Sequence, residues 1–75
     1  MSILTNQVAN LIIQTIANLP GNPRKYDVRL VVVNQGGYPL ATFEAVLSDL
    51  IQNNEVILLE ADHLLPRLKL NPTSV

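Results

Sequence analysis

The spacing of apolar residues changes along the chain, and each change marks an element. Over residues 3–19, Leu4, Val8, Leu11, Ile12, Ile16 and Leu19 recur three or four apart. At about 100° per residue they fall on one face, which predicts an α-helix. Ser2 is placed to cap its start, Pro20-Gly21 to stop it, and Pro23 to prevent its resumption. The opposite side carries Asn6, Asn10, Gln14 and Asn18, each four apart, so its polar stripe consists of amides rather than charges.

From Asp27 to Asn34 the pattern reads as alternation. Val28, Leu30 and Val32 point one way in a strand, and Arg29, Val31 and Val33 the other. Four valines favour strand over helix, and apolar residues on both sides predict a strand covered on both faces. Asn34-Gln35-Gly36-Gly37 is then a turn, with glycines free to take positive φ. Phe43, Val46, Leu47, Leu50 and Ile51 follow the helical i, i+3, i+4, i+7, i+8 spacing. Thr42 is the candidate cap of that helix, and Glu44 sits in its first turn, where the dipole favours an acid. Its wet side is Glu44, Ser48, Asp49 and Gln52, and Asn53-Asn54 ends it, because Asn tolerates the left-handed conformation. Glu55–Ala61 and Pro66–Leu70 read as two further strands, joined by Ala61–Leu65. In the second, Leu68 and Leu70 alternate with Arg67 and Lys69, as in a strand with one wet face.

The predicted order is α-β-α-β-β, an α+β fold. A βαβ unit with a right-handed crossover and a C-terminal hairpin make a three-stranded sheet, with both helices on one face. Residues 1–75 form a single small domain in this reading, and 71–75 a flexible polar tail.

Composition adds the question of how so short a chain hides its aliphatics. Leu, Val and Ile occupy 27 of 75 positions, while Lys and Arg number 5 against 6 Asp and Glu. Such a chain is too apolar and too weakly charged to be disordered. A domain of this size buries only about 60–65% of its unfolded-chain surface, and small domains add disulfides, metals or oligomerisation. Cysteine is absent and there is one His, so oligomerisation remains, most simply as a homodimer. The open face of the predicted sheet, bearing Val31 and Val33, gives a second route to the same expectation. The first helix supplies the other candidate interface residues: Ile3, Asn6, Asn10, Ile13, Gln14 and Ala17, a face with no charge. A charge-free face is desolvated at lower cost than a charged one. A protein partner on these faces is a further expectation.

Targeting signals are not evident. The longest aliphatic runs are Leu30–Val33 and Val56–Leu59, far short of the ~20 residues of a membrane span. No Lys or Arg precedes the first apolar stretch, so a signal peptide is not expected, and a cytoplasmic location without membrane contact is.

The candidate chemistry is thin. Asp62-His63 pairs a carboxylate with an imidazole, but adjacent residues on an extended segment point apart, and Ser2, Ser48 and Ser74 lack a nucleophile context. Glu60, Asp62 and His63 do not have the spacing of a metal cage. Val33-Asn34-Gln35-Gly36-Gly37 has the outline of a phosphate-binding turn, but no G-x-G-x-x-G and no Gly-Lys-Ser/Thr, so an ordinary βα turn is expected. No catalytic residue, metal ligand or cofactor is assigned, and a non-enzymatic protein is expected.

Two small basic groups remain, Arg24, Lys25 and Arg29 in the first and Arg67 and Lys69 in the second. Residues 42–70 resemble the helix-then-wing end of a winged-helix module, whose hairpin touches phosphates. That fold needs two helices between its first strand and its wing, whereas residues 38–54 hold one. The acidic balance also argues against nucleic acid. The sequence therefore predicts a small homo-oligomeric protein-interaction module. A dimeric nucleic-acid-binding regulator with a winged-helix-like hairpin is the alternative, and a small-ligand-binding module the third.

Overall fold

The computed structural model describes residues 3–59 and 67–71. Helix α1 spans Ile3–Asn18, within one residue of the predicted element. Its buried side is Val8, Ile12, Thr15 and Ile16. Thr15 is a polar residue in this row, and its hydroxyl donates to the Leu11 carbonyl one turn back, at 2.6 Å. Burial of the threonine therefore leaves its donor satisfied. The predicted cap Ser2 lies outside the described residues.

The segment expected to be a strand is helical, which overturns the three-stranded sheet, its βαβ unit and the packing of two helices on one face. Arg24 is extended, at φ −75° and ψ 153°, and its N–H donates to the Asp27 carboxylate at 3.1 Å. That contact starts helix α2, Lys25–Arg29, which runs directly into a π-helical segment, Leu30–Gln35. The Gly36 N–H reaches back five residues to the Val31 carbonyl, at 2.8 Å. Burial decides the conformation. Val28 and Val32 lie four apart and both are fully buried, whereas Leu30 between them is half-exposed. A strand would have put all three on one side. Tertiary packing of one helical stripe outweighs the β-propensity of the valines, which is itself chiefly a packing preference.

Gly36-Gly37-Tyr38-Pro39 joins this segment to α3, Leu40–Gln52. The residue before the helix is Pro39, whose carbonyl accepts from the Phe43 N–H at 3.1 Å. Thr42 therefore lies inside the first turn and does not cap it. Phe43, Val46, Leu47 and Leu50 are buried as the spacing predicts, Ile51 is half-buried, and Glu44, Ser48, Asp49 and Gln52 are exposed. The helix ends as expected at Asn53-Asn54. Asn54 takes φ 61°, its N–H donates to the Ile51 carbonyl at 3.1 Å, and the Glu55 N–H donates to Leu50 at 2.9 Å. This is the paired 5→2 and 6→1 closure of a left-handed helix end.

Strands β1, Val56–Leu59, and β2, Arg67–Leu70, pair antiparallel in the register Val56↔Leu70, Ile57↔Lys69, Leu58↔Leu68 and Leu59↔Arg67. They form the only sheet among the described residues. On the other edge of β2 stands a single residue, Arg24, in an antiparallel bridge with Arg67. The Leu68 N–H donates to the Pro23 carbonyl beside it, at 2.8 Å. Val56 and Leu68 close the core formed by α1, α2, the π segment and α3. Asn71, assigned by sequence to the tail, is tied down: its N–H donates to the Glu55 carbonyl at 3.3 Å and its amide to the Asn54 carbonyl at 2.7 Å. Residues 72–75 lie outside the described residues.

Candidate interface and basic cluster

The core stripe of α1 fixes what its other side can do. At about 100° per residue, Ile13, Asn6, Ala17, Asn10, Ile3 and Gln14 follow one another around an arc of about 100°, centred opposite Val8 and Ile12. The structure therefore gathers these six predicted interface residues on one outward face. Ile3 is 77% exposed, and Asn6, Asn10, Gln14 and Ala17 are exposed as well. Ile13 sits at the border, half-buried against the core. Beside it a groove of about 350 Å³ runs between α1 and α3, lined by Asn6, Asn10 and Ile13 on one wall and Val46, Asp49 and Leu50 on the other.

Val31 and Val33 do not join this face. With residues 30–35 helical, there is no open sheet face for them to line. Val33 packs against the core, and Val31 borders a different cleft. The sheet-face argument for a homodimer falls with the strand; the α1 argument does not depend on that strand.

The two basic groups, separate in sequence, meet through the Arg24–Arg67 bridge. Residues directly opposite in an antiparallel pair share one face. Arg67 and Lys69 are two apart on β2, so Arg24, Arg67 and Lys69 occupy the same side of the sheet. Sequence reasoning missed this juxtaposition, because a one-residue bridge has no periodic signal. The remaining cations are engaged elsewhere. Lys25 Nζ lies 3.0 Å from Glu44 Oε2, an exposed pair linking α2 to α3, and the Arg29 guanidinium stacks 4.8 Å above the Tyr26 ring. The exposed face of α3 carries Glu44 and Asp49 and no Lys or Arg.

The Gly36-Gly37 turn follows a π segment, not a strand, which corrects the βα-turn expectation. Gly37 does take positive φ, at 74°. Both amides are already engaged, Gly36 with Val31 and Gly37 with the Val33 carbonyl at 3.2 Å, so neither is free to cradle a phosphate. Glu60, Asp62 and His63 lie outside the described residues, and so does the Ala61–Leu65 connection. Among the described residues no group of three His, Cys, Asp or Glu could hold a metal ion, and no helix is long and apolar enough to cross a membrane. No family model, curated protein or solved structure matches the chain.

Proposed function

We propose that the chain is a non-enzymatic interaction module that pairs with a second copy of itself through the outward face of α1, and docks a protein partner in the paired state. The observation that carries this reading is the outward arc of α1, where Ile3 and Ala17 interleave with Asn6, Asn10 and Gln14 on a helix without a single charge. Such a face meets its own copy without like-charge repulsion. Burying amides beside aliphatics also costs less than burying ions. The half-buried Ile13 and the groove beside it offer the pair an apolar centre with a polar rim. A cytoplasmic location belongs to the same proposal.

Dimerisation coupled to stability is its test. A self-associating native state raises its own melting temperature with protein concentration. The thermal midpoint should rise over a hundredfold concentration range, and Asn10→Glu should abolish that dependence. A midpoint independent of concentration in the wild-type chain overturns the reading.

One observation favours a second reading. Helix, bridge, helix, helix and hairpin follow in the order of a winged helix, and the four-residue turn at 36–39 suits a helix-turn-helix. All five Lys and Arg lie at α2 or on β2, at Arg24, Lys25, Arg29, Arg67 and Lys69. Against this stands α3, the helix such a fold would present to bases, with its two exposed carboxylates. Fold order alone does not assign function. A gel shift at low salt that weakens steeply as salt rises, and is lost in Arg67→Glu, would favour nucleic acid over protein.

A further inference from the structure

Behind the Arg24–Arg67 bridge lies a cleft of about 440 Å³, a volume within the range of small-molecule sites. Leu19, Pro20, Leu30 and Val31 supply apolar walls, and Arg24, Arg67 and Asp27 supply its charge. Three observations at this cleft point the same way. The bridge sets two guanidinium-bearing residues directly opposite each other, an arrangement that is unfavourable unless something neutralises it. Neither arginine makes an ion pair with a described residue; Asp27, the sole acid among the described lining residues, receives the Arg24 backbone N–H. Finally, Arg67 Nε is buried with no hydrogen-bond partner among the described residues, while Nη1 of the same side chain makes only a long 3.5 Å contact with the Asn22 carbonyl. Buried donors are nearly always paired, so an orphan nitrogen calls for an acceptor.

We infer that this cleft binds a small monocarboxylate with an apolar body, its carboxylate seated on Arg67 and facing Arg24. A guanidinium presents a planar fork of N–H donors that matches the two oxygens of a carboxylate. Among the described lining residues two arginines stand against one aspartate, a net charge of +1 that suits a monoanion better than a phosphate dianion. Leu19, Pro20, Leu30 and Val31 would cover the aliphatic or aromatic remainder of the ligand, so binding needs the carboxylate and the apolar body together. The site is separate from the outward face of α1, and the inference does not rest on self-association.

Titration of the full-length ¹⁵N-labelled chain with hexanoate at constant ionic strength tests it. Saturable shifts are expected at the Arg24 and Arg67 Nε–H signals and at the Leu30 and Val31 amides. Hexanol, which lacks the charge, and inorganic phosphate, which lacks the apolar body, should each bind at least about tenfold more weakly. Arg67→Gln should weaken hexanoate by about tenfold or more, as the loss of a charge-assisted bond does. Arg24→Gln keeps the backbone bonds that start α2 and should also weaken it, so the inference stays testable if the Arg67 variant does not fold. Shifts that never saturate, phosphate binding as tight as hexanoate, wild-type affinity in either folded variant, or a response to a short DNA duplex but not to hexanoate would each overturn it.

Discussion

Gly36 lies so close to the backbone of Val32 that a Cβ built on it would stand 2.6 Å from the Val32 carbonyl oxygen, with Leu11 and Tyr38 side-chain atoms at 3.0 and 3.1 Å. The turn between the π segment and α3 can be this tight only without a side chain. Gly36→Ala should destabilise the fold by about 1–3 kcal/mol, the typical effect of forcing extra atoms into space already filled. In a domain of this size each kcal/mol lowers the melting temperature by roughly 4–8 °C. Gly37 is different: nothing lies within 4 Å of a Cβ there, but φ is +74°. Gly37→Asn should therefore fall within about 1 kcal/mol of wild type, since Asn tolerates that region, whereas Gly36→Asn should be at least as damaging as Gly36→Ala. Equal effects of Asn at the two positions would contradict this account of the turn.

Residues 28–32 test helix against strand directly. Val32 is fully buried and Leu30 is half-exposed, although a strand would bury both together. Val32→Ala should cost about 2 kcal/mol in urea unfolding, and Leu30→Ala less than about 1 kcal/mol. Comparable losses at the two positions would favour the strand.

That segment also marks where the sequence stops being legible. Helices α1 and α3 are written in i, i+3, i+4 spacings bounded by Pro20-Gly21 and by Asn53-Asn54, and the chain follows both signals. The hairpin follows from the alternation of Leu68 and Leu70 with Arg67 and Lys69. Residues 27–34 carry two patterns at once. A run of valines suits a strand, while Val28 and Val32 also stand four apart, and only the presence of α1 and α3 to bury that stripe decides between them. Two local signals did point to the helix: Asp27, three residues after Arg24, where a carboxylate can receive the first free N–H, and Gly36-Gly37 just past its end. That six residues of α1 share one outward face is legible because it depends on one helix alone. Val31 and Val33 lie off that face because residues 30–35 are helical. The meeting of Arg24 with Arg67 depends on a long-range bridge that spacing does not encode.

The C-terminal end of α3 offers a stabilising change. Asn54 holds φ 61°, a conformation that glycine adopts without steric penalty. Asn54→Gly should leave stability unchanged or raise it by up to about 1 kcal/mol, and Asn54→Val should lower it by about 1–2 kcal/mol. Chemical denaturation of the three proteins side by side checks the order, and a valine variant as stable as wild type would contradict it.

The Lys25–Glu44 pair, at 3.0 Å and exposed on both sides, links α2 to α3 but should contribute little. Glu44→Gln should change unfolding free energy by less than about 1 kcal/mol, and the difference should shrink further in 1 M salt. A larger loss that persists at high salt would mean that Glu44 does more than pair with Lys25.

The most direct measurement of the central claim is the mass of the purified chain by multi-angle light scattering, compared with Ala17→Glu. Ala17 is exposed on the outward arc of α1, so the substitution puts a charge on that face without touching the core. Self-association through α1 predicts twice the 8.3 kDa chain mass for the wild type, and a shift toward the single-chain mass in the variant, which should stay folded with at most a small loss from an acid in the last turn of α1. A wild-type chain that elutes at 8.3 kDa at every concentration, or an Ala17→Glu dimer as stable as the wild-type dimer, would contradict it.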